Sequence, residues 1–155
     1  MVLMCVKVDL LKYKKFISII LILFAVCEDG WSGDTSSPLC YQYVSSYESW
    51  TDASSYCQNL GGELASVTSS DINDFLTTLT EDMAWIGGYK DDDGNWNWSD
   101  GSTFDYTNWY TDQPDNARGE QDKMYINYQT VGSWDDVKNT YGRYTDSGLP
   151  FICQK

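Results

Sequence analysis

Four cysteines at positions 27, 40, 57 and 153 limit the possible folds of this chain more than any other feature. Disulfides between them decide which distant segments meet, and four cysteines allow three connectivities. We favour the pairs Cys27–Cys40 and Cys57–Cys153. The first closes a short N-terminal hairpin, and the second joins the first predicted helix to the last predicted strand. In the chain-entropy model a closed loop of about 100 residues contributes ~4.7 kcal/mol.

The N-terminal segment predicts secretion. Four lysines precede an apolar run of 11 residues from Phe16 to Val26. This order is typical of a signal peptide, and the run is shorter than the roughly 18–20 residues that cross a bilayer. We predict a signal peptide over residues 1–26, a secreted, extracellular domain over residues 27–155, and no stable membrane insertion. Two alternatives stay open: a signal anchor, and cleavage after Cys27 that leaves Cys40 free to form a homo-oligomer.

Composition argues against several classes of function. The net charge of -13 argues against nucleic acid as a partner. The chain has no histidine, which removes Ser-His and Cys-His dyads and the usual zinc ligands. Paired carboxylates can hydrolyse glycosides, but the sequence marks no carboxylate as buried with a raised pKa. We therefore predict that the protein is not an enzyme.

The hydrophobic pattern predicts two helices and several short strands. Helices are expected over residues 48–60, with Leu60 on the buried face, and over residues 68–80, capped by Ser69 or Ser70. Residues 99–121 form a long irregular stretch, and a loop longer than about 12–15 residues in a compact domain is usually functional. Strands or extended segments are expected over residues 39–44, 64–67, 84–88, 96–98, 123–128, 132–137 and 149–154.

Oxygen-bearing side chains gather in and after this irregular stretch. Gln113-Pro114-Asp115 places an amide and a carboxylate on either side of a proline, and Glu120 and Trp134-Asp135-Asp136 follow. Calcium takes about 6–8 oxygen ligands, which carboxylates and an amide carbonyl can supply. We predict one calcium ion that in turn coordinates a sugar. The expected ligands are Gln113, Asp115, Glu120, Asp135 and Asp136.

Two further features have a functional and a structural interpretation. Asp91-Asp92-Asp93 can hold an auxiliary calcium ion or form an ordinary exposed turn with the glycine that follows. Asn97-Trp98-Ser99 is a glycosylation sequon in a predicted strand, so Asn97 is a possible glycosylation site. The tryptophans of the predicted strands are expected in the core rather than on a ligand platform.

Several motifs together resemble a C-type lectin-like domain over residues 27–153. The resemblance implies an α+β fold with two helices, two small antiparallel sheets and a long calcium-binding loop. Cys27 and Cys40 are similar to the extra N-terminal pair of the long-form domains. The motifs are Trp85-Ile86-Gly87-Gly88, Trp96-Asn97-Trp98-Ser99-Asp100-Gly101, Asn108-Trp109, Gln113-Pro114-Asp115, Trp134-Asp135-Asp136 and Phe151-Ile152-Cys153.

The resemblance also implies roles for the oxygen-bearing residues. In that family, residues matching Gln113, Asp115, Glu120, Asp135 and Asp136 bind calcium, two sugar hydroxyls complete the shell, and the matching proline is cis. The side chains matching Gln113, Asp115, Glu120 and Asp135 also hydrogen-bond the sugar. The order Gln-Pro-Asp resembles galactose-type members, and Glu-Pro-Asn the mannose type. The resemblance thus implies a calcium-dependent lectin for galactose or N-acetylgalactosamine termini of glycans on cells or microbes.

The sequence departs from the family pattern in three places. The usual inner disulfide falls near Asp122 and Asn139, neither of which is cysteine, so we expect a looser loop without metal. Asp135 stands where asparagine is usual, and a carboxylate cannot donate a hydrogen bond to a sugar. We expect calcium binding to survive and sugar selectivity to blur. Asn116-Ala117-Arg118 replaces a stacking tryptophan, for which Tyr110 or Tyr141 is the expected substitute.

These departures keep a second hypothesis open. In it the domain is lectin-like but binds a protein or another surface, and its sugar site has decayed.

Overall fold

The computed structural model describes residues 27–33, 35, 37–142 and 148–155, so the predicted leader lies outside the described residues. Within these ranges no helix is long and apolar enough to cross a membrane. The helices are α1 (Trp50–Asn59) and α2 (Ser70–Leu79). The strands are β1 (Ser32–Gly33), β2 (Cys40–Glu48), β3 (Glu63–Leu64), β4 (Ala84–Lys90), β5 (Trp96–Trp98), β6 (Lys123–Ile126), β7 (Trp134–Val137) and β8 (Leu149–Gln154).

The strands form one mixed sheet in the order β1-β2-β8-β4-β6-β7, with β3 paired to β8 and β5 paired to β4. Every pairing is antiparallel except that of β4 with β8, which are parallel with Trp85 opposite Phe151. The α+β class and the two helices are confirmed. The resemblance predicts two small antiparallel sheets. The structure has two antiparallel groups of strands, β1, β2, β3 and β8 in one and β4 to β7 in the other, and the parallel contact between β4 and β8 joins them into one sheet.

Helix α1 begins and ends at strong local signals. The Ser49 hydroxyl accepts a hydrogen bond from the Asp52 amide at 3.1 Å, which caps the N-terminus. Gly61 follows the helix with a φ of 81°, a backbone conformation that glycine adopts without steric cost. Trp50 is buried as expected, but the prediction that Leu60 faces inward is wrong. Leu60 is 40% exposed because the helix stops at Asn59 and the chain turns there.

Helix α2 matches its predicted pattern closely. Its N-cap is Ser69, whose hydroxyl accepts a hydrogen bond from the Ile72 amide at 3.2 Å. Ile72 and Leu76 are buried, and Phe75 packs against the same cluster while partly exposed. The amphipathic face predicted from the 3.6-residue period therefore covers the sheet.

An aromatic cluster supports the irregular stretch. Trp98 and Trp134 are buried and meet edge to face, with ring centroids 5.6 Å apart. Trp109 packs against Trp134 at 5.7 Å and against Trp96 at 5.0 Å, and both Trp96 and Trp109 are partly buried. The predicted core role of these rings is confirmed. They also hold the start of the long loop against β5 and β7.

Both disulfides favoured from the sequence are present. Cys27 and Cys40 are bonded with Cα atoms 5.6 Å apart, and Cys57 and Cys153 with Cα atoms 5.4 Å apart. The second disulfide joins α1 to β8, and both of its cysteines are fully buried.

Candidate functional site

The binding loop, defined here as residues 110–121, starts beside strand β7. The Tyr110 amide donates a hydrogen bond to the Trp134 carbonyl at 2.9 Å, and the Trp134 amide donates to the Asn108 carbonyl at 2.9 Å. These two bonds place the loop next to Trp134-Asp135-Asp136. Two segments separated by about 20 residues in the sequence therefore meet, as the predicted calcium site requires.

The turn at the tip of the loop has the backbone that the resemblance implies. The Gln113–Pro114 peptide bond is cis. The Gln113 amide donates to the Tyr110 carbonyl at 2.9 Å, and the Asp115 amide donates to the Gln113 side-chain oxygen at 3.0 Å. The Gln113 oxygen that is expected to bind calcium thus accepts a backbone hydrogen bond in this structure.

Asp136 fixes the binding loop to β7. Its carboxylate is buried, with Oδ1 accepting from the Asp115 amide at 2.9 Å and Oδ2 from the Asn116 amide at 3.0 Å. The Lys90 ammonium lies 3.8 Å from Oδ2. Burial raises the pKa of Asp136, while the two amides and Lys90 oppose that rise. Both oxygens of this predicted ligand are therefore engaged by the chain itself.

Asp135 is different, because one of its oxygens has no partner. The side chain is 6% exposed, Oδ2 accepts from the Tyr125 hydroxyl at 2.9 Å, and the buried Oδ1 accepts no hydrogen bond. Burial raises the pKa of Asp135 to about 6, and the negative charges of Asp136 and Asp115 add to the rise. Hydrogen bonding from the Tyr125 hydroxyl and the Asp136 backbone amide opposes it. A cation beside Oδ1 would satisfy this oxygen and offset the repulsion.

Glu120 and Asp115 are exposed on the loop, and Gln113 is partly buried. Among the described residues, no three acidic side chains are close enough together to hold a metal ion. The donor chemistry fits calcium, since it is all oxygen and includes an unpartnered buried carboxylate oxygen. The acidic side chains do not form a coordination shell in this structure, so calcium binding would require some of them to move closer together.

A shallow cavity of about 280 Å³ lies beside Glu120. Tyr141, one of the two aromatic residues expected to replace the stacking tryptophan, lines it and stacks on Tyr125 with centroids 5.5 Å apart. Tyr110 instead packs edge-on against Tyr128 at 5.3 Å. Tyr141 is therefore the better-placed ring. The other lining residues are Ala117, Arg118, Gln121, Val137 and Lys138.

Comparison with known proteins identifies the family. The model of the Lectin C-type domain matches residues 46–155. The chain belongs to the C-type lectin family. Proteins of this family are non-enzymatic and bind carbohydrate, generally with Ca²⁺.

Several related proteins align with most of this chain. The chain is 38% identical over 139 residues to a lectin of Pleurodeles waltl, and the alignment covers 83% of this chain and 75% of that protein. It is 36% identical over 118 residues to the ladderlectin of Oncorhynchus mykiss, covering 72% of this chain and 61% of that protein. Among solved structures, a calcium-independent type II antifreeze protein aligns with a TM-score of 0.72 and 28% identity, covering 84% of this chain and 94% of that chain.

Sequence reasoning missed two residues of the candidate site, Lys90 and Tyr125. Tyr125 lies directly opposite Asp135 in the β6–β7 pairing, and Lys90 ends strand β4. The register of the β6–β7 hairpin would have revealed Tyr125, because its strands pair from Lys123 opposite Val137. No local sequence signal connects Lys90 with Asp136.

The hydrogen bonds of the acidic turn at residues 91–97 favour an ordinary structural turn over an auxiliary calcium site. Asp91 Oδ1 accepts from the amides of Asp93 at 3.1 Å and Asn95 at 2.8 Å, and Oδ2 accepts from the Asn97 side-chain amide at 2.9 Å. The Asn97 amide also donates to the Asn95 carbonyl at 3.0 Å. Glycosylation at Asn97 stays a prediction, and a glycan there would replace one of the two side-chain N–H hydrogens, so one of the two bonds that Asn97 donates would be lost.

Proposed function

We propose that residues 27–155 form a secreted, calcium-dependent lectin domain that binds galactose-like termini of glycans after removal of residues 1–26. The observation that carries this proposal is the buried, unpartnered Oδ1 of Asp135 beside Asp136 and Asp115. A buried polar atom without a partner is rare in a folded protein and calls for a missing group. A divalent cation is the group that matches its charge and chemistry.

The ligands proposed for calcium are Gln113, Asp115, Glu120, Asp135 and Asp136. Calcium bound there would supply positive charge and open coordination positions for sugar hydroxyls. Asp136 already ties the loop to β7 through two backbone amides, which brings Asp115 next to Asp135. Gln113 and Asp115 lie on one turn, where the Asp115 amide donates to the Gln113 side-chain oxygen at 3.0 Å.

Sugar recognition needs hydrogen-bond donors as well as acceptors. Asp135 can only accept, so the Gln113 amide is the donor left in the proposed ligand set. The cavity beside Glu120 adds Arg118 and Lys138, which carry donors, and Tyr141, whose ring can pack on the apolar face of a sugar. This combination supports a saccharide in the cavity, with Glu120 shared between the ion and the sugar.

Calorimetry tests the proposal most directly. Calcium is titrated first, then galactose, N-acetylgalactosamine or mannose into the calcium-loaded protein, each repeated in EDTA. We expect calcium-dependent heat with galactose and N-acetylgalactosamine and a weaker response to mannose. Because single sites bind sugars weakly, a glycan array with the domain displayed as a tetramer gives the same comparison with avidity. The matched control is Asp105→Asn, which neutralises an exposed carboxylate of the irregular stretch outside the proposed shell.

The second candidate is a lectin-like domain that binds a protein or another surface and whose sugar site has decayed. Two observations favour it: both oxygens of Asp136 are engaged by loop amides, and a calcium-independent antifreeze protein shares the fold. Calcium heat without sugar binding, or retention on no glycan in either buffer, would support this candidate and contradict the first.

A further inference from the structure

Lys90 contacts the binding loop and the carboxylate that anchors it. Its ammonium donates to the Gln121 carbonyl at 3.2 Å and lies 3.8 Å from Asp136 Oδ2. The same ammonium lies 4.9 Å from the centroid of the Trp96 ring, which packs against Trp109 just before the loop. One cation therefore lies between the two ends of the loop.

The position of Lys90 matters because Asp136 is a buried charge. Its side chain has 0% exposure, while that of Lys90 has 19%. A buried carboxylate is costly unless it is hydrogen-bonded and has a nearby positive charge. The Asp115 and Asn116 amides supply the hydrogen bonds, and Lys90 supplies the charge.

The chain also lacks the cysteines that resemblance to the family would place near Asp122 and Asn139. Backbone hydrogen bonds hold this region instead. The Lys90 amide donates to the Asp122 carbonyl at 2.9 Å, and the Asp122 amide donates to the Val137 carbonyl at 3.2 Å. The Asn139 side-chain oxygen accepts from the Thr51 amide at 3.0 Å, which ties this segment to α1. The loose metal-free loop expected from the missing disulfide was inferred without these hydrogen bonds, which hold the same region of the chain.

We propose that Lys90 is a positioning residue whose ammonium acts as an internal cation and keeps the binding loop folded when no divalent ion is bound. It balances the charge of Asp136, so that Asp136 can hold the Asp115 and Asn116 amides, and it fixes the end of the loop through Gln121. This role does not depend on sugar binding. Calcium would then be needed only to bring the exposed side chains together around Asp135, and not to fold the loop.

Hydrogen exchange measured by NMR in EDTA tests the role of Lys90. The readout is the protection of the Asp115 and Asn116 amides, which donate to Asp136. In the wild-type protein we expect both amides to be protected. We expect Lys90→Met to lower their protection by about tenfold or more, because local opening no longer has to separate a paired charge. Lys90→Arg keeps the charge and should retain most of the protection.

The matched control is Lys123→Met. Lys123 has a side chain with 13% exposure, pairs with Asp122 at 2.8 Å and lies 5.1 Å from the Trp50 ring, but no hydrogen bond or ion pair joins it to Asp136. We expect its loss to leave the Asp115 and Asn116 amides protected. The Met124 and Ile126 amides of β6 serve as internal references for global unfolding.

Three results would overturn the inference. The first is unprotected Asp115 and Asn116 amides in the wild-type protein in EDTA, which needs no variant. The second is unchanged protection in Lys90→Met. The third is an equal loss at Met124 and Ile126, which would mean that Lys90 stabilises the whole domain rather than the loop. None of these measurements uses calcium or sugar, so they are separate from the test of lectin function.

Discussion

Two acidic regions of this lectin domain differ in how many hydrogen bonds their carboxylates accept. In the turn at Asp91–Asn97, Asp91 accepts three hydrogen bonds from residues two to six positions away, and they lower its pKa, the Asn95 amide most strongly. At the proposed binding site, Asp135 has a buried oxygen with no partner and a pKa raised to about 6. Neighbouring residues of the turn satisfy both oxygens of Asp91, whereas one oxygen of Asp135 is left without a donor.

The number of acidic residues in a segment is therefore a poor guide to a candidate cation site. Asp91-Asp92-Asp93 is the denser acidic segment, yet its first carboxylate is fully engaged by its own turn. The site around Asp135 combines residues from two distant segments, and burial prevents water from satisfying every oxygen. A buried carboxylate oxygen without a hydrogen-bond donor is the more specific signal, and among the described residues Asp135 Oδ1 is the one carboxylate oxygen in that state.

The strongest test removes proposed calcium ligands from the site and charges from the turn in separate variants. Asp115→Ala with Glu120→Ala should weaken calcium binding by at least about 100-fold, since even the supporting partners of metal ligands contribute roughly 10–100-fold. Asp92→Asn with Asp93→Asn should leave calcium affinity unchanged. Calorimetry measures both. A loss of calcium binding in the turn variant would reverse the comparison.

The next test exchanges acid and amide. Gln113→Glu with Asp115→Asn should shift preference from galactose toward mannose by about tenfold, because it changes which atoms donate and which accept around each hydroxyl. The control exchange in the turn, Asp93→Asn with Asn95→Asp, should not change preference. Elution from immobilised galactose by each free sugar measures the shift. Unchanged galactose elution in the site variant would refute the selectivity argument.

A smaller effect is expected from pH in EDTA. The folded pKa of Asp135, about 6, lies above the unfolded value of 3.8, so its contribution to stability is greatest at low pH and is lost as the pH rises toward and through 6. Allowing for solvent screening, we expect Asp135→Asn to remove a pH-dependent difference of about 1 kcal/mol or less in unfolding free energy between pH 5 and 7. Urea unfolding at both pH values measures it. Equal pH dependence in wild type and variant would contradict the assignment to Asp135.

The smallest effect is expected in the turn itself. Asp91→Ala removes acceptors for the Asp93, Asn95 and Asn97 hydrogen bonds and should lower the melting temperature slightly. Because these bonds are exposed and local, calcium affinity should not change. Thermal unfolding and calcium titration of the same variant check both statements. A large loss of calcium binding would show that the turn takes part in the site.

Local sequence patterns predicted most of the fold. The Ser69 cap, the buried face of α2 and the strands around Trp85, Trp98 and Trp134 lie within a few residues of their predicted positions. The error at Leu60 arose where the helix ended, which periodicity alone does not define. The joining of two antiparallel groups through Trp85 and Phe151 was also missed, because a contact between distant strands leaves no local pattern.

The candidate site was predicted in its components but not in its connections. Gln113-Pro114-Asp115 does lie beside Asp135 and Asp136, and the Gln113–Pro114 bond is cis. The sequence did not indicate that Asp136 would hold two loop amides. Calcium and sugar binding by these residues stay predictions.

The amino-acid sequence carries the family motifs, the cap signal at Ser69, four cysteines whose favoured pairing is confirmed, and the set of oxygen-bearing side chains. Which of those oxygens already accept a hydrogen bond depends on the tertiary structure. Tyr125 reaches Asp135 through strand register, and Lys90 reaches Asp136 from a strand 46 positions away in the chain. The physical reason is that hydrogen bonding and burial at this site depend on how separate strands are aligned, which residue types at fixed spacing do not specify.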